Sequence, residues 1–256
     1  MKQKVLLTEA IQPIGLNLLE QHVKVTIAPD PKPETIVAMV EDFDGMISRN
    51  TYIGEEILSK AKKLKVVASH GVGIDHVDIG AATKQGVYVV NTPGANAESV
   101  AEAVIGLLLS VSRKICEGNN ALRLKRDYYH RNQCLGADLY KKTIGIIGMG
   151  DIGRKLARIC SQGFNMRVIS YDPFLSKEKM EAIGVVKFDE LDGLITVSDF
   201  ISLNCPYTDA LHHMIDERRL TLMKPSAYLV NCARGPLVDE EALFHALKNG
   251  IIAGAA

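Results

Sequence analysis

Three glycines of the sequence have the spacing that phosphate binding requires. Gly148, Gly150 and Gly153 form a G-x-G-x-x-G pattern directly after a short apolar run that is typical of a buried strand. The residues that follow carry apolar side chains at helical spacing, so the glycines lie where a strand turns into a helix. The first permits a tight turn, the second lets the backbone approach a phosphate, and the third lets the helix pack on the strand. We expect the backbone amides of Asp151 and Ile152, at the positive end of that helix, to hold a pyrophosphate.

One acidic residue lies where a dinucleotide-binding domain needs a carboxylate. A second strand-like run, 166–171, ends at Asp172, about 20 residues after the third glycine. A carboxylate there accepts hydrogen bonds from the ribose hydroxyls of NAD and repels the 2′-phosphate of NADP. No Arg or Lys follows immediately to attract that phosphate. The sequence therefore predicts a Rossmann-type domain that binds NAD.

The composition excludes several classes of partner. Thirty basic residues balance thirty acidic ones, so no general positive field would attract nucleic acid or anionic lipid. The longest apolar stretch, from Val100 to Val111, is too short to span a bilayer, and the N-terminus does not read as a signal peptide. Five cysteines without a C-x-x-C pair argue against a disulfide framework and for a reducing cytoplasm. We expect a cytoplasmic protein with a small-molecule partner and without nucleic acid, membrane or metal.

Strand-like and helix-like segments alternate over the first 90 residues. The strands are predicted at Val5–Thr8, Val23–Ala28, Gly45–Ser48, Leu64–Ser69 and Val87–Asn91, and the helices at Ile14–Gln21, Glu34–Val40, Gly54–Lys63 and Ile79–Gln85. This alternation predicts an α/β fold with a parallel sheet covered by helices. The sequence N-T-P-G-A-N at 91–96 breaks the pattern, which predicts one domain over residues 1–95 and a second over residues 96–256.

The second domain is predicted to begin with an unusually apolar helix, residues 97–116. One face would serve its own domain, so the other is expected to contact a second copy of the chain in a homodimer. A central helix buried in one large core is the alternative. Residues 113–140 are polar and basic and are interpreted as helix plus surface loop. Strands are predicted at Thr143–Ile147, Arg167–Tyr171, Val185–Phe188, Asp199–Asn204, Ala227–Asn231 and Ile251–Ala255.

Several further motifs, taken in order, resemble one family. They are G-V-G-I-D-H-V-D at 71–78, N-T-P at 91–93 with S-V-A-E at 99–102, the glycine pattern with Y-D-P at 171–173, and N-C-A-R-G at 231–235 with V-D at 238–239. This set resembles the D-isomer-specific 2-hydroxyacid dehydrogenases, most closely their D-3-phosphoglycerate dehydrogenase branch. The resemblance covers the whole chain. It implies a flavodoxin-like substrate-binding domain, a Rossmann NAD-binding domain and an active site in the cleft between them.

The resemblance also implies roles for individual residues. Backbone amides at Val72 and Gly73 would hold a substrate carboxylate, with Val72 also near the cofactor. Arg234 would bind the substrate carboxylate, polarise the keto oxygen and line the nicotinamide site. Further cofactor positions are Cys205, Pro206, Cys232 and Ala233, and Arg49 matches a position that can contact a substrate phosphate. The alternatives are a plain turn at the glycine loop, exposed surface charges at the two arginines, and small buried hydrophobes at the cysteines.

The family's general acid and base is a histidine held by a glutamate. Both match positions beyond the family counterpart of Ala256, so we expect the C-terminal segment that carries them, and a helix that completes the first domain, to lie outside this sequence. Among the seven histidines present, only His70, beside the glycine loop, is a candidate for a catalytic role. The other six are predicted to lie in surface contexts or on a helix: His22, His76, His130, His212, His213 and His245.

The expected activity is hydride transfer between a nicotinamide and C2 of a D-2-hydroxy acid or its 2-keto acid. Within this class a phosphoglycerate dehydrogenase is the first choice, and a hydroxypyruvate or glyoxylate reductase or a D-lactate-type dehydrogenase is the alternative. A different class also fits the scaffold, namely a binding protein that senses NAD without turnover.

Overall fold

The computed structural model describes residues 2–256. The chain forms two compact units, unit 1 (Met1–Asn96) and unit 2 (Ala97–Ala256). Each unit is built on a parallel sheet of its own. Within residues 2–256, every helix is too short or too polar to cross a membrane.

Unit 1 is a five-stranded parallel sheet with helices between its strands. The strands are β1 (Lys4–Leu7), β2 (Lys24–Ile27), β3 (Gly45–Ser48), β4 (Val66–Ser69) and β5 (Tyr88–Val90), and the helices are α1 (Pro13–His22), α2 (Pro33–Met39), α3 (Glu55–Lys60) and α4 (Ile79–Lys84). The strands lie in the order β2-β1-β3-β4-β5, which is the order of flavodoxin-like folds. The flavodoxin-like prediction for this region is confirmed.

Two predicted boundaries in unit 1 are wrong for local reasons. The helix predicted over Gly54–Lys63 ends at Lys60, because Ala61 leaves the helical region with φ −81° and ψ 61°. The strand predicted to begin at Leu64 begins at Val66, because its neighbour β3 begins at Gly45 and Gly45 pairs with Val66. Leu64 instead lies in the buried core of the unit.

Unit 2 is a six-stranded parallel sheet. Its strands are β6 (Thr143–Ile147), β7 (Arg167–Tyr171), β8 (Val186–Lys187), β9 (Phe200–Leu203), β10 (Tyr228–Asn231) and β11 (Gly254–Ala255), and its helices are α5 (Ala97–Ser112), α6 (Ile115–Lys125), α7 (Asp151–Phe164), α8 (Lys177–Glu181), α9 (Leu191–Val197), α10 (Glu217–Leu222) and α11 (Glu240–Lys248). The order β11-β10-β9-β6-β7-β8 is that of a dinucleotide-binding Rossmann sheet. The Rossmann prediction is confirmed.

Helices cover both faces of this sheet, so its strands are apolar on both sides. Tyr228 and Val230 of β10 belong to the core cluster formed with α5 and α7, whereas Leu229 between them belongs to the cluster formed with α9, α10 and α11. The last predicted strand, Ile251–Ala255, is reduced to β11 because a bend follows Gly250, whose φ is +66°.

The long apolar helix is shorter than its sequence indicates. It ends at Ser112, and Lys114 adopts a left-handed conformation with φ 52° that separates α5 from α6. One face of α5 is buried in the core of unit 2, in agreement with the alternative of a central helix, while Leu107 is 36% exposed. The prediction of a single helix over 97–116 is therefore wrong, and the apolar face left to a partner is smaller than expected.

Candidate dinucleotide and substrate-binding sites

The turn between β6 and α7 can be formed only by glycine at two of its three motif positions. Gly148 has φ +90°, and a Cβ there would lie 2.8 Å from backbone atoms of Asn204 and Cys205. A Cβ at Gly153 would lie 2.3 Å from the carbonyl oxygen of Gly148. A Cβ at Gly150 would meet nothing within 4 Å. The side of the loop next to Gly150 therefore has room for a ligand to approach the backbone.

The start of α7 provides the positive end that an anion needs. The helix begins at Asp151, and its N-cap residue is Gly150, which has no side chain to satisfy the first amides. The amides of Asp151 and Ile152 are thus available to a phosphate, as predicted from the motif. The glycine turn and this bare helix end together fit the pyrophosphate of a dinucleotide.

Asp172 is fixed beside the same turn. It follows β7, whose last residue, Tyr171, pairs with Ile147 of β6. Its Oδ2 accepts a hydrogen bond of 2.8 Å from the amide of Met149, and its Oδ1 accepts one of 2.9 Å from the amide of Phe174. Each carboxylate oxygen keeps further lone pairs. Asp172 can therefore accept ribose hydroxyls while the backbone holds it in place.

Arg154 supports this loop, and sequence reasoning did not identify it. Its Nε donates to the carbonyl oxygen of Met149 at 3.1 Å, so Met149 is held by Arg154 at its carbonyl and by Asp172 at its amide. A cation in the first turn of a helix is disfavoured by the helix dipole. An arginine directly after the third glycine therefore indicates that its side chain makes a compensating contact nearby, and this could have been noticed in the sequence.

Cys205 and Cys232 follow β9 and β10, at the carboxyl edge of the sheet in unit 2. Burial raises the pKa of the Cys205 thiol, and the nearby charge of Asp172 adds to the effect. Burial also raises the pKa of the Cys232 thiol. Both cysteines are therefore neutral at physiological pH, which suits side chains that line a cofactor better than nucleophiles. Pro206 and Ala233 adjoin them, with Pro206 exposed and Ala233 partly buried.

Arg234 is positioned by a turn that the Asn231 side chain closes. Asn231 Nδ2 donates to the carbonyl oxygen of Arg234 at 2.8 Å, and Asn231 Oδ1 accepts from the amide of Ala233 at 3.0 Å. The guanidinium Nη1 of Arg234 donates to the carbonyl oxygen of Ala233 at 2.8 Å. Arg234 thus lies in a defined turn at the carboxyl edge of the sheet that carries the glycine loop, where ligands of doubly wound folds bind. Asn231 belongs to the N-C-A-R-G motif, but the sequence assigned it no role because its side-chain partners are backbone groups of the turn itself.

In unit 1, Arg49 and His70 follow two neighbouring strands. Ser48 pairs with Ser69 across β3 and β4, so the two residues come next to each other at one edge of the sheet. The amide of His70 donates to the carbonyl oxygen of Ser48 at 2.8 Å. Both side chains are exposed. The structure therefore leaves Arg49 accessible to a ligand at the carboxyl edge.

The loop Gly71–Gly73 has its carbonyl groups turned into the protein. The carbonyl oxygen of Gly71 accepts from the amide of Thr92, that of Val72 from Asn91 Nδ2, and that of Gly73 from Ser69 Oγ. Among residues 2–256, the three loop amides have no hydrogen-bond acceptor. Such a loop can hold an anion, which is the role that the family resemblance implies for Val72 and Gly73.

The histidines differ from expectation at two positions. Nε2 of His76 is buried without a hydrogen-bond partner among the described residues, and the side chain of His130 is only 15% exposed. Both residues are of intermediate exposure, so they are less open to solvent than the predicted surface contexts imply. His212 and His213 are exposed and stack on each other, with ring centroids 3.9 Å apart.

Comparison with known proteins agrees with this geometry. Residues 105–256 match the model of the D-isomer specific 2-hydroxyacid dehydrogenase, NAD binding domain, which confirms the prediction of an NAD-binding domain. The chain is 39% identical over 254 residues to D-3-phosphoglycerate dehydrogenase of Methanocaldococcus jannaschii, with 99% of this chain and 48% of that protein covered. It thus spans about half the length of the phosphoglycerate dehydrogenases it matches.

Shorter relatives and solved structures are similar over most of their length. Glyoxylate reductase of Thermococcus gammatolerans is 40% identical over 264 residues, with 100% of this chain and 78% of that protein covered. The structure of D-lactate dehydrogenase from Aquifex aeolicus, complexed with NAD and lactic acid, is 30% identical with a TM-score of 0.86, covering 99% of this chain and 75% of that one. Two parallel sheets in flavodoxin-like and Rossmann order, a glycine turn with its acidic partner and these similarities lead to one conclusion: the chain belongs to the D-isomer specific 2-hydroxyacid dehydrogenase family.

Proposed function

We propose that the protein transfers a hydride between NAD(H) and C2 of a D-2-hydroxy acid or the matching 2-keto acid. The observation that carries the proposal is the turn that fixes Arg234 at the same sheet edge as the glycine loop and Asp172. A guanidinium at that edge suits a substrate that has both a carboxylate and a keto oxygen.

We assign the following roles to the cofactor and to residues of each unit. When bound, NAD(H) supplies or accepts the hydride. The Arg234 guanidinium binds the substrate carboxylate and stabilises the negative charge that develops on the keto oxygen. In unit 1, the amides of Val72 and Gly73 can hold an anion, because the carbonyl groups of their loop are turned into the protein. We assign the hydroxyl proton to none of the histidines of residues 2–256.

The substrate we propose is 3-phosphoglycerate or its keto form, because Arg49 is an exposed cation at the carboxyl edge of unit 1. We expect kcat/KM to be higher for phosphohydroxypyruvate than for hydroxypyruvate, glyoxylate or pyruvate. Arg49→Gln should lower only the value for the phosphorylated substrate, by about tenfold for a lost charge-assisted contact. Lys65→Gln, a cation at the opposite edge of the same sheet, is the matched control.

Other outcomes of this experiment identify the alternatives. A preference for glyoxylate or hydroxypyruvate that Arg49→Gln leaves intact would establish a reductase of small 2-keto acids, and a preference for pyruvate would establish a D-lactate-type enzyme. Tight NADH binding without turnover of any of the four substrates would contradict the enzyme and favour an NAD-sensing protein.

We also propose that NAD is preferred over NADP, because Asp172 is held beside the glycine loop. Asp172→Ala should weaken NADH binding by ~1–3 kcal/mol, about 5–150-fold, and reduce the discrimination against NADPH. Fluorescence titration of both cofactors measures this. Tighter binding of NADPH than NADH to the unmodified protein would refute the preference.

We further propose a homodimer in a reducing, cytoplasmic setting. Exposed apolar side chains of α5 and α6 support the dimer: Leu107 (36%), Ile115 (52%), Leu122 (54%) and Leu124 (78%). The five free thiols support the setting. Sedimentation at micromolar concentration should show a dimer that Leu122→Asp dissociates and that Leu18→Asp, on an exposed position of unit 1, leaves intact. A monomer at that concentration would contradict the dimer.

A further inference from the structure

Three residues with metal-binding side chains lie together in the segment after α5. Glu117 of α6, His130 of the short helical turn Tyr128–Asn132 and Cys134 offer ligand atoms that all lie within 4.8 Å of one another. This cluster is not recognisable from the sequence, because the three residues do not have the spacing of a metal motif. A Cβ built on Gly118 would lie 3.8 Å from the Sγ of Cys134, so the thiol lies against α6.

One pair of ligand atoms already has the spacing of a small tetrahedral site. Zn²⁺ binds imidazole nitrogen, thiolate and carboxylate oxygen with bonds of about 2.0–2.3 Å, which place neighbouring ligand atoms about 3.3 Å apart. Nε2 of His130 lies 3.2 Å from Oε1 of Glu117. This separation equals one edge of such a tetrahedron, and two negatively charged ligands in the set would stabilise a divalent cation.

The His130 ring is partly buried and oriented for this use. Its side chain is 15% exposed, and its Nδ1 faces Oδ2 of Asp127 at 3.8 Å, so that Nε2 points to Glu117. A carboxylate behind the other ring nitrogen is the usual outer partner of a metal-binding histidine. The backbone also holds Asp127 beside His130, because the His130 amide donates to Oδ1 of Asp127 at 3.1 Å.

Lys114 carries the positive charge that forms an ion pair with this cluster. It lies beside Oε2 of Glu117, the carboxylate oxygen that does not face His130. Its Nζ is 3.8 Å from Oε2 and donates to the carbonyl oxygen of Gln133 at 3.0 Å. The ammonium group therefore lies nearer Oε2 and leaves Oε1 to His130. Its charge opposes a bound cation, but one lysine is outweighed by a carboxylate and a thiolate.

We propose that Glu117, His130 and Cys134 bind Zn²⁺ through Oε1, Nε2 and Sγ, with water as the fourth ligand. Binding converts the thiol to a thiolate and releases its proton to solvent. The ion ties α6 to the residues that follow it. The site uses none of the residues assigned to NAD or substrate, so its test is independent of the proposed activity.

The experiment is titration of the purified protein with Co²⁺ and then Zn²⁺. Co²⁺ should give the near-ultraviolet charge-transfer band of a thiolate–cobalt bond at one ion per chain, and Zn²⁺ should displace it. Cys134→Ser should abolish the band, and His130→Gln should weaken Zn²⁺ binding at least tenfold. Cys116→Ser removes an exposed thiol of α6, the helix that carries Glu117. It should change neither the Co²⁺ band nor the affinity for Zn²⁺. NADH affinity reports that each variant is folded.

Asp127→Asn refines the test because it keeps an oxygen that can accept from the His130 amide but removes the charge behind Nδ1. We expect it to weaken Zn²⁺ binding about 10–100-fold. Absence of the thiolate band in a large excess of Co²⁺ would overturn the proposal, and so would equal Zn²⁺ affinity in Cys134→Ser and the unmodified protein. In either case Glu117 and His130 form only a hydrogen-bonded pair.

Discussion

Replacing Arg234 by alanine is expected to lower kcat/KM for 2-keto acids by about 10²–10³-fold, the usual effect of removing one group that stabilises a developing oxyanion. Arg234→Lys should recover little of the loss, because an ammonium group lacks the planar fork that binds a carboxylate through two donors. NADH affinity should change little. The bond from Asn231 Nδ2 goes to the backbone carbonyl of Arg234, so the turn persists without the guanidinium.

The matched control is Arg167→Ala, an exposed arginine at the first residue of β7, at the amino edge of the sheet. Steady-state kinetics and NADH titration of the three variants separate catalysis from cofactor binding. If Arg234→Ala kept kcat/KM within a few-fold of the unmodified protein, the assignment of substrate polarisation to Arg234 would be wrong. Equal losses in Arg234→Ala and Arg167→Ala would indicate a general charge effect instead.

The dinucleotide loop could be predicted from sequence because all of its requirements are local. The three glycines, the helix start and Asp172 are close in sequence, and the parallel pairing of β6 with β7 brings Asp172 to the loop without help from distant elements. The alternation of strands and helices predicted the parallel sheets, whereas the flavodoxin-like domain was implied only by the family resemblance. Such features depend on the backbone and on hydrophobic patterning, which one sequence displays directly.

Other parts of the structure depend on side-chain rotamers, loop conformations and strand register, which hydrophobic patterning does not determine. The bond from Arg154 to Met149 requires a particular side-chain rotamer. The partial burial of His130 requires the loop after α6 to fold back. The end of α5 is set by Lys114 in a left-handed conformation, which lysine rarely adopts and its sequence does not signal. The start of β4 is set by the register of its neighbour rather than by Leu64 itself.

Gly150→Ala is expected to weaken NADH binding substantially without unfolding the protein. Gly150 has φ −73° and ψ −159°, which alanine adopts without strain, and its Cβ would meet nothing within 4 Å in the absence of ligand. A methyl group would nevertheless occupy the space in which a pyrophosphate approaches the loop. Overpacking of this kind costs ~1–3 kcal/mol, about 5–150-fold in the Kd of NADH. Gly148→Ala and Gly153→Ala cannot test this point, because each would clash with backbone and destabilise the turn itself.

Gly163→Ala, within the helix α7 that Gly150 caps, is the control, since its Cβ also meets nothing within 4 Å. It should leave NADH affinity unchanged and raise the free energy of unfolding by about 0.5–1 kcal/mol, because alanine favours the helix. Thermal unfolding and NADH titration of both variants give the comparison. Gly150→Ala should lose affinity at an unchanged Tm, and Gly163→Ala should gain in Tm at an unchanged affinity. Unchanged NADH affinity in Gly150→Ala would mean that the pyrophosphate does not lie on this loop, and the assignment of Asp151, Ile152 and Asp172 to the cofactor would fail with it.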